Sequence, residues 1–339
     1  MRRTAAAFTA LVLCYPCQSW SQDSTATLVA ICDRAAASPL DQNRPTGVKG
    51  VAPDKIDPKI AIPACAAAAK AAPNDPRIAF QLGRAHFAAK DYEPARAQYA
   101  KADAMGYAVA TNNLAVMYLD GLGVPADKKL AFSLLEKAAN GGVANAMINL
   151  ANHYRNGNVV QRDYAEARHW YEKAAGFGNA EAMFNLGLFY ANGQGGPQDY
   201  AEARHWYDKA AGLAVAGAMV NLGTLYYNGQ GVPQDYAEAR RWYEKATGLG
   251  NAEAMANLGV LYVKGQGVPQ DYAEARRWFE KAAGLGNAKA MFNLGLFCAN
   301  GQGGPQDYAE ARRWYEKAAG LGVPKAMANL GLLLSLIHI

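Results

Sequence analysis

Apolar residues recur along most of this chain in two alternating blocks of helical spacing. In one block Ala182, Met183, Leu186, Gly187 and Tyr190 share a face. In the next, Tyr200, Ala203, Trp206, Tyr207 and Ala210 do the same. The pattern predicts a pair of helices with their apolar faces packed together. Asn179 is expected to cap the first helix, and Gly193, which tolerates the left-handed conformation, to end it. Gln194 to Gln198 then form a turn. Asp199-Tyr200-Ala201-Glu202 reads as a capping box, in which Asp caps and Glu reaches back. Gly212 is expected to close the second helix. Small residues such as Gly187, Ala203 and Ala210 let the helix axes approach toward the short end of the ~8–10 Å range. The Trp is expected to fill the gap between successive pairs, and its truncation to cost roughly 3–5 kcal/mol.

The pair recurs every 36 residues. Leu114, Leu150, Leu186, Leu222, Leu258, Leu294 and Leu330 keep that step, each followed by Gly or Ala. So do Trp170, Trp206, Trp242, Trp278 and Trp314, and so do Gly121, Gly157, Gly193, Gly229, Gly265 and Gly301. A fixed period of about 20–50 residues marks a solenoid, in which each unit hides its apolar face only by stacking on its neighbours. Upstream, Leu82-Gly83 precedes Leu114 by 32 residues, and Ala88 to Tyr92 lacks the Gly-rich turn. That unit looks like a tetratricopeptide repeat.

The repeated motif, A-x-A-M-x-N-L-G-x-x-Y-x-x-G-x-G-V-P-x-D-Y-x-x-A-x-x-W-x-x-K-A-A-x-x-G, resembles the Sel-one-like repeat of the tetratricopeptide superfamily. The likeness covers about Tyr107 to Leu332 in six full units and a half. Asn251–Gly286 and Asn287–Gly322 match best, and Val143–Gly178 departs at Asn158-Val159-Val160-Gln161. The resemblance implies an all-α, right-handed α-solenoid of antiparallel helix pairs that acts as an adaptor for partner proteins. The segment Cys-Asp-Arg-Ala-Ala-Ala-Ser-Pro-Leu-Asp from Cys32 resembles the N-terminal segment of some exported alphaproteobacterial proteins that carry these repeats.

The first residues read as an address. Met1-Arg2-Arg3 is basic, Thr4 to Leu13 is small and apolar, and Ser19-Trp20-Ser21 supplies a cleavage site before Gln22. Export follows as an expectation, to a bacterial periplasm or beyond the cell. No stretch reaches the ~20 apolar residues that cross a bilayer, so no integral membrane segment is expected in the mature chain. Cys14 and Cys17 would leave with the signal segment. In an oxidising compartment Cys32 and Cys65, on two short helices flanking a Pro39–Pro58 loop, are expected to pair, the alternative being two buried thiols. Closing that loop would stabilise the fold by roughly 3–4 kcal/mol in the chain-entropy view. Cys298 stands in the slot of Tyr190, Tyr226 and Tyr262 and reads as a buried thiol. The layout expected is a signal peptide at 1–21, an N-terminal helical segment at 22–72, a tetratricopeptide-like unit at 73–106, six repeats at 107–322 and a half repeat at 323–333. Residues 334–339, Leu-Ser-Leu-Ile-His-Ile, read as translated sequencing adapter (CTG TCT CTT ATA CAC ATC), the alternative being a divergent native tail.

Composition removes several function classes. The formal charge is +5, and without Arg2 and Arg3 the chain keeps 32 basic against 29 acidic residues, which is no nucleic-acid footprint. No H-E-x-x-H, G-x-S-x-G or phosphate-loop motif occurs. The Gly193–Asp199 turn is Gly-rich, but it offers Gln and Asp where a phosphate needs Lys and a hydroxyl. His169 and His205 share one repeat slot with Arg241, Arg277 and Arg313, which reads as a solvated face rather than a metal site. No catalytic residue, metal or cofactor is expected.

A binding face is expected on the first helix of each pair, which in tetratricopeptide folds lines the concave groove. The positions flanking each Leu by two share a face. Candidate groove residues are Phe184, Leu188, Val220, Thr224 and Val260, with Asn149, Asn185, Asn221, Asn257 and Asn293 each one residue before a Leu. In one reading the amides hold a partner's extended backbone, since an amide both donates and accepts. In the other each Asn bonds a neighbouring backbone carbonyl and sets repeat spacing. The expected function is a non-enzymatic protein-interaction scaffold of the cell envelope, holding a partner peptide or helix along the groove. Two other readings stay open: an enzyme or enzyme subunit whose catalytic domain lies further downstream, and a cell-wall or glycan binder. Re-sequencing the locus tests the adapter reading, and a genomic stop codon directly after Ile339 overturns it.

Overall fold

A computed structural model describes residues 24–337, with side chains described as far as Leu333. The expected signal segment and the side chains of residues 334–339 lie outside the described residues. The chain forms two compact units that divide at Ala138. Among the described residues the secondary structure is α-helical, with one 3-10 turn at Pro53–Lys55.

The first unit begins with α1 (Thr25–Ala36), α2 (Pro58–Ala71), α3 (Pro76–Ala88) and α4 (Tyr92–Ala104). They are followed by α5 (Ala108–Asp120) and α6 (Lys128–Asn140), whose last two residues lie past the division. A disulfide joins Cys32 of α1 to Cys65 of α2. The loop between these helices is pinned from α3. Arg84 donates from Nη1 to the Ala36 carbonyl at 2.6 Å and from Nη2 to the Val51 carbonyl at 2.7 Å. Asp33, buried, accepts from Arg77 and from Gln81 Nε2. Tyr107 donates its hydroxyl to buried Asp41. Two of these bonds hold the loop itself, at Val51 and Asp41, and the others hold the end of α1.

The second unit is a run of helices of nearly constant length. They are α7 (Ala144–Asn156), α8 (Tyr164–Gly176), α9 (Ala180–Asn192), α10 (Tyr200–Gly212), α11 (Ala216–Asn228) and α12 (Tyr236–Gly248). The run continues with α13 (Ala252–Lys264), α14 (Tyr272–Gly284), α15 (Ala288–Asn300), α16 (Tyr308–Gly320) and α17 (Pro324–Ile337). From α8 to α16 each helix packs on the one before and the one after it. The spacing read from the sequence therefore describes an all-α solenoid.

Inside a pair, the packing turns on a glycine. A Cβ on Gly187 would lie 2.3 Å from the Tyr207 ring, so the ring rests directly on the backbone of α9. The same contact joins Gly223 to Tyr243, Gly259 to Phe279 and Gly295 to Tyr315, and in the first unit Gly83 to Tyr99. The Trp lies beside this contact, Trp242 and Trp278 being partly buried against the core. The fully buried ring is the residue after it: Tyr207 is 2% exposed, whereas Trp206 stays half-buried.

The turns also differ from the expected capping box. Asp199 does cap α10, accepting from the backbone N–H of Ala201 at 2.9 Å and Glu202 at 3.0 Å. The reciprocal bond is not made, because the Asp199 N–H already donates to the Tyr190 carbonyl at 2.9 Å, closing the turn onto α9. Glu238 and Glu274, free of that duty, accept from Arg241 and Arg277. The end of the second helix departs as well. Gly212 remains helical and the left-handed residue is two positions later, at Ala214 with φ 61°. There the Val215 N–H returns to the Ala210 carbonyl at 3.1 Å. Glycine holds this place elsewhere, as at Gly250 with φ 76°. A left-handed alanine is strained by its Cβ. Ala214→Gly is therefore expected to stabilise the protein by about 1 kcal/mol, seen as a higher urea midpoint at unchanged slope. An unchanged or lower midpoint contradicts that account.

Candidate functional site

Burial decides which first-helix side chains can meet a partner. Val220, expected on the groove wall, is 3% exposed and packs inside the core. Asn185 is 7% exposed and accepts from Arg155 Nη1 of the preceding first helix at 3.3 Å. Both are structural. Phe184, Leu188, Thr224 and Val260 are half-buried, as are Asn149, Asn221, Asn257 and Asn293. Phe184 leans on the Tyr207 ring, centroids 6.1 Å apart, and presses on α11 at Gly217, where a Cβ would lie 3.2 Å from it. It is both spacer and surface.

The polar row on these helices is organised by the buried tyrosines of the second helices. Tyr171 donates its hydroxyl to Asn152 Oδ1 at 2.6 Å. Thr224 gives its own proton to the Val220 carbonyl at 3.0 Å, so Tyr243, 3.3 Å away, donates to Thr224. Tyr207 bonds Asn221, and Tyr315 accepts from Asn329 Nδ2 at 3.4 Å. In the first unit Tyr99 bonds Asn113. For Asn113, Asn221 and Asn329 the partner is thus a phenol from a second helix, which neither reading of the Asn row names. A buried phenol needs such a partner, and the first-helix amides and the threonine are the polar groups within reach. Phe279 shows the converse. It keeps the ring without the hydroxyl, and Asn293, which stands 14 residues after it as Asn221 and Asn329 stand after Tyr207 and Tyr315, has no hydrogen-bond partner among the described residues.

Burial pushes the phenols of Tyr171 and Tyr243 up to about 12. Cys298 is a buried free thiol whose burial, with Glu310 beside it, raises it to about 11. Where Tyr190 holds Arg168 over its ring at 3.9 Å, the smaller Cys298 leaves Arg276 to bridge to Glu310 at 3.1 Å. His169 and His205 are exposed, each edge-on to the next Trp. Among the described residues no cluster of three or more His, Cys, Asp or Glu side chains has metal-holding geometry. No helix of the described residues is long and apolar enough to cross a membrane.

The Tyr shifts set a pH dependence. A phenol ionises near 10 in the unfolded chain and near 12 at these sites, so the fold favours the neutral form. Their contribution is complete below about pH 10 and is lost as pH rises through about 12. The melting temperature is expected to fall across that window. Tyr171→Phe with Tyr243→Phe, a change Phe279 shows the slot accepts, should flatten the fall. Circular dichroism melts at stepped alkaline pH check this, and identical pH profiles for the two proteins contradict it.

The Sel1 repeat profile matches residues 108–143, 144–176, 180–214, 216–251, 252–287 and 288–323. A tetratricopeptide repeat profile matches residues 57–108. A solved structure of a protective antigen present in uropathogenic Escherichia coli strains, displaying an SLR fold, is 33% identical over 78% of this chain, with a TM-score of 0.71. This chain spans 57% of that antigen's length. A Sel1 repeat protein from Oxalobacter formigenes is 34% identical over 70% of this chain and 98% of its own, with a TM-score of 0.64. Comparison with the curated proteins returns no match.

Proposed function

This chain belongs to the Sel1 repeat family, and from that premise we propose that it is a non-enzymatic scaffold holding a partner polypeptide along the first helices of its second unit. Sel1 repeats commonly serve protein–protein interaction. The observation that carries the reading is the row of half-buried side chains on α9, α11, α13 and α15. Leu188, Val260 and Leu296 supply apolar contact there, and Asn257 and Asn293 supply amides that no described group uses. An extended segment presents backbone donors and acceptors at each residue, and an amide answers both. The row carries little charge, so the partner segment is uncharged and apolar to weakly polar. The basic, then apolar, then small-residue start of the sequence, together with the Cys32–Cys65 bond, supports placing the protein in the periplasm.

The test is a photo-crosslinking amino acid placed at Val260, with a second placed at Asp208 on α10 as the control face. In envelope extract the Val260 probe is expected to trap a defined polypeptide and the Asp208 probe to miss it. Asn257→Ala with Asn293→Ala and Leu296→Ser, in a protein of unchanged melting temperature, is expected to lower the trapped yield about tenfold, since each lost polar or apolar contact weakens binding. Equal yields from both probes, or from both proteins, overturn the reading.

A further inference from the structure

The second helices present a different surface. Trp206, Lys209 and Leu213 lie at i, i+3 and i+7 and so share one helix face. The triplet recurs at each 36-residue step from α8 to α16, with Phe177 in place of Leu in the first. The five terminal residues, Phe177, Leu213, Leu249, Leu285 and Leu321, are 49–57% exposed. Each sits between small residues, as in Gly248-Leu249-Gly250, and a Cβ on either of those glycines would meet nothing. The four leucine tips are thus half-exposed, and Phe177 lies near Gly142. The lysines are exposed, and each ammonium is held over its own Trp ring at 3.8–4.4 Å. Exposed Arg241, Arg277 and Arg313 stand one residue before their Trp, the first two paired to Glu238 and Glu274. In four of the five repeats the acid beside the Lys is tied to an Arg four residues before it, as Glu244 is to Arg240 at 2.7 Å. At the head of the row, Met147, Trp170, Lys173 and Phe177 line an open recess of about 460 Å³.

We propose that this row is a docking surface for a bilayer containing anionic lipid. The chemistry is that of an interfacial contact: apolar tips that enter the acyl boundary, an aromatic body behind them, and cations at headgroup depth. Charge favours this occupant over a second copy of the chain, because two such rows set face to face would bring lysine against lysine. The row belongs to the second helices, so it stands whether or not a partner lies on the first. Each repeat adds one apolar tip and at least one cation, so weak contacts sum over the row.

Co-sedimentation of the full chain with vesicles tests this. One set is phosphatidylcholine alone, and in the other phosphatidylglycerol replaces part of it. The protein is expected to pellet with the anionic vesicles, to stay in solution with the neutral ones, and to be released by salt. Leu213→Asn, Leu249→Asn and Leu285→Asn together, and separately Lys209→Gln, Lys245→Gln and Lys281→Gln, should each weaken binding by at least about tenfold. Melts of both triples separate lost binding from lost fold, and should a triple be unstable, Leu249→Asn alone and the salt dependence of the unaltered protein decide. No binding to anionic vesicles, equal binding to both sets, or binding indifferent to salt overturns the proposal. A concentration-dependent dimer that the leucine triple abolishes, without vesicle binding, reassigns the row to a contact between copies.

Discussion

An aromatic ring lying on a bare backbone is the contact on which four successive repeats close, at Gly187, Gly223, Gly259 and Gly295, where the repeat before them has Ala151. With no Cβ at Gly187, the face of Tyr207 reaches the backbone of the neighbouring helix, and the pair closes. Any side chain at that glycine would meet the ring, because interiors pack at crystal density and leave no slack. The same contact places the phenol oxygen at the first-helix surface, where Asn221, Thr224 and Asn329 meet successive hydroxyls, as Asn152 meets that of Tyr171. One buried ring thus sets the helix spacing and organises the polar row.

The turns carry the second part of the architecture. Gly193 ends α9 in the left-handed conformation, φ 64°, and the Asp199 N–H then returns to α9 while the Asp199 carboxylate starts α10. A second turn glycine serves the stack rather than the pair. A Cβ on Gly231 would lie 2.7 Å from Tyr200, so the turn of one repeat rests on the start of the second helix of the repeat before it. Local capping and inter-repeat packing are thereby joined in a few residues. This is how a unit too small to hide its own apolar face acquires stability from its neighbours.

The two helices of a repeat expose unlike chemistry. The first helices offer amides and half-buried aliphatic groups with little charge, matched to a polypeptide. The second helices end in bare leucines backed by lysines held on indole rings, matched to an anionic interface. A protein that grips a polypeptide on one set of helices and a lipid surface on the other would hold its partner near that surface.

Much of this was legible in residue order alone. The 36-residue period, the all-α pairs, the Asn179 and Asp199 caps and the Gly193 stop depend on neighbours a few positions apart, and short-range geometry dictates them. Tertiary contact decided the rest. Trp206 and Tyr207 are adjacent and both aromatic, and only the position of α9 determines which is buried. The Asp199 N–H had two acceptors open to it, and the carbonyl of Tyr190 won because the turn folds back onto α9. Val220 left the expected groove because the α11 face it occupies is enclosed by the packed pairs around it. Arg84, unremarkable in sequence, became the pin of the N-terminal loop through carbonyls 33 and 48 residues away. Order along the chain specifies what a segment can form, whereas burial and hydrogen-bond choice belong to segments that meet only after folding.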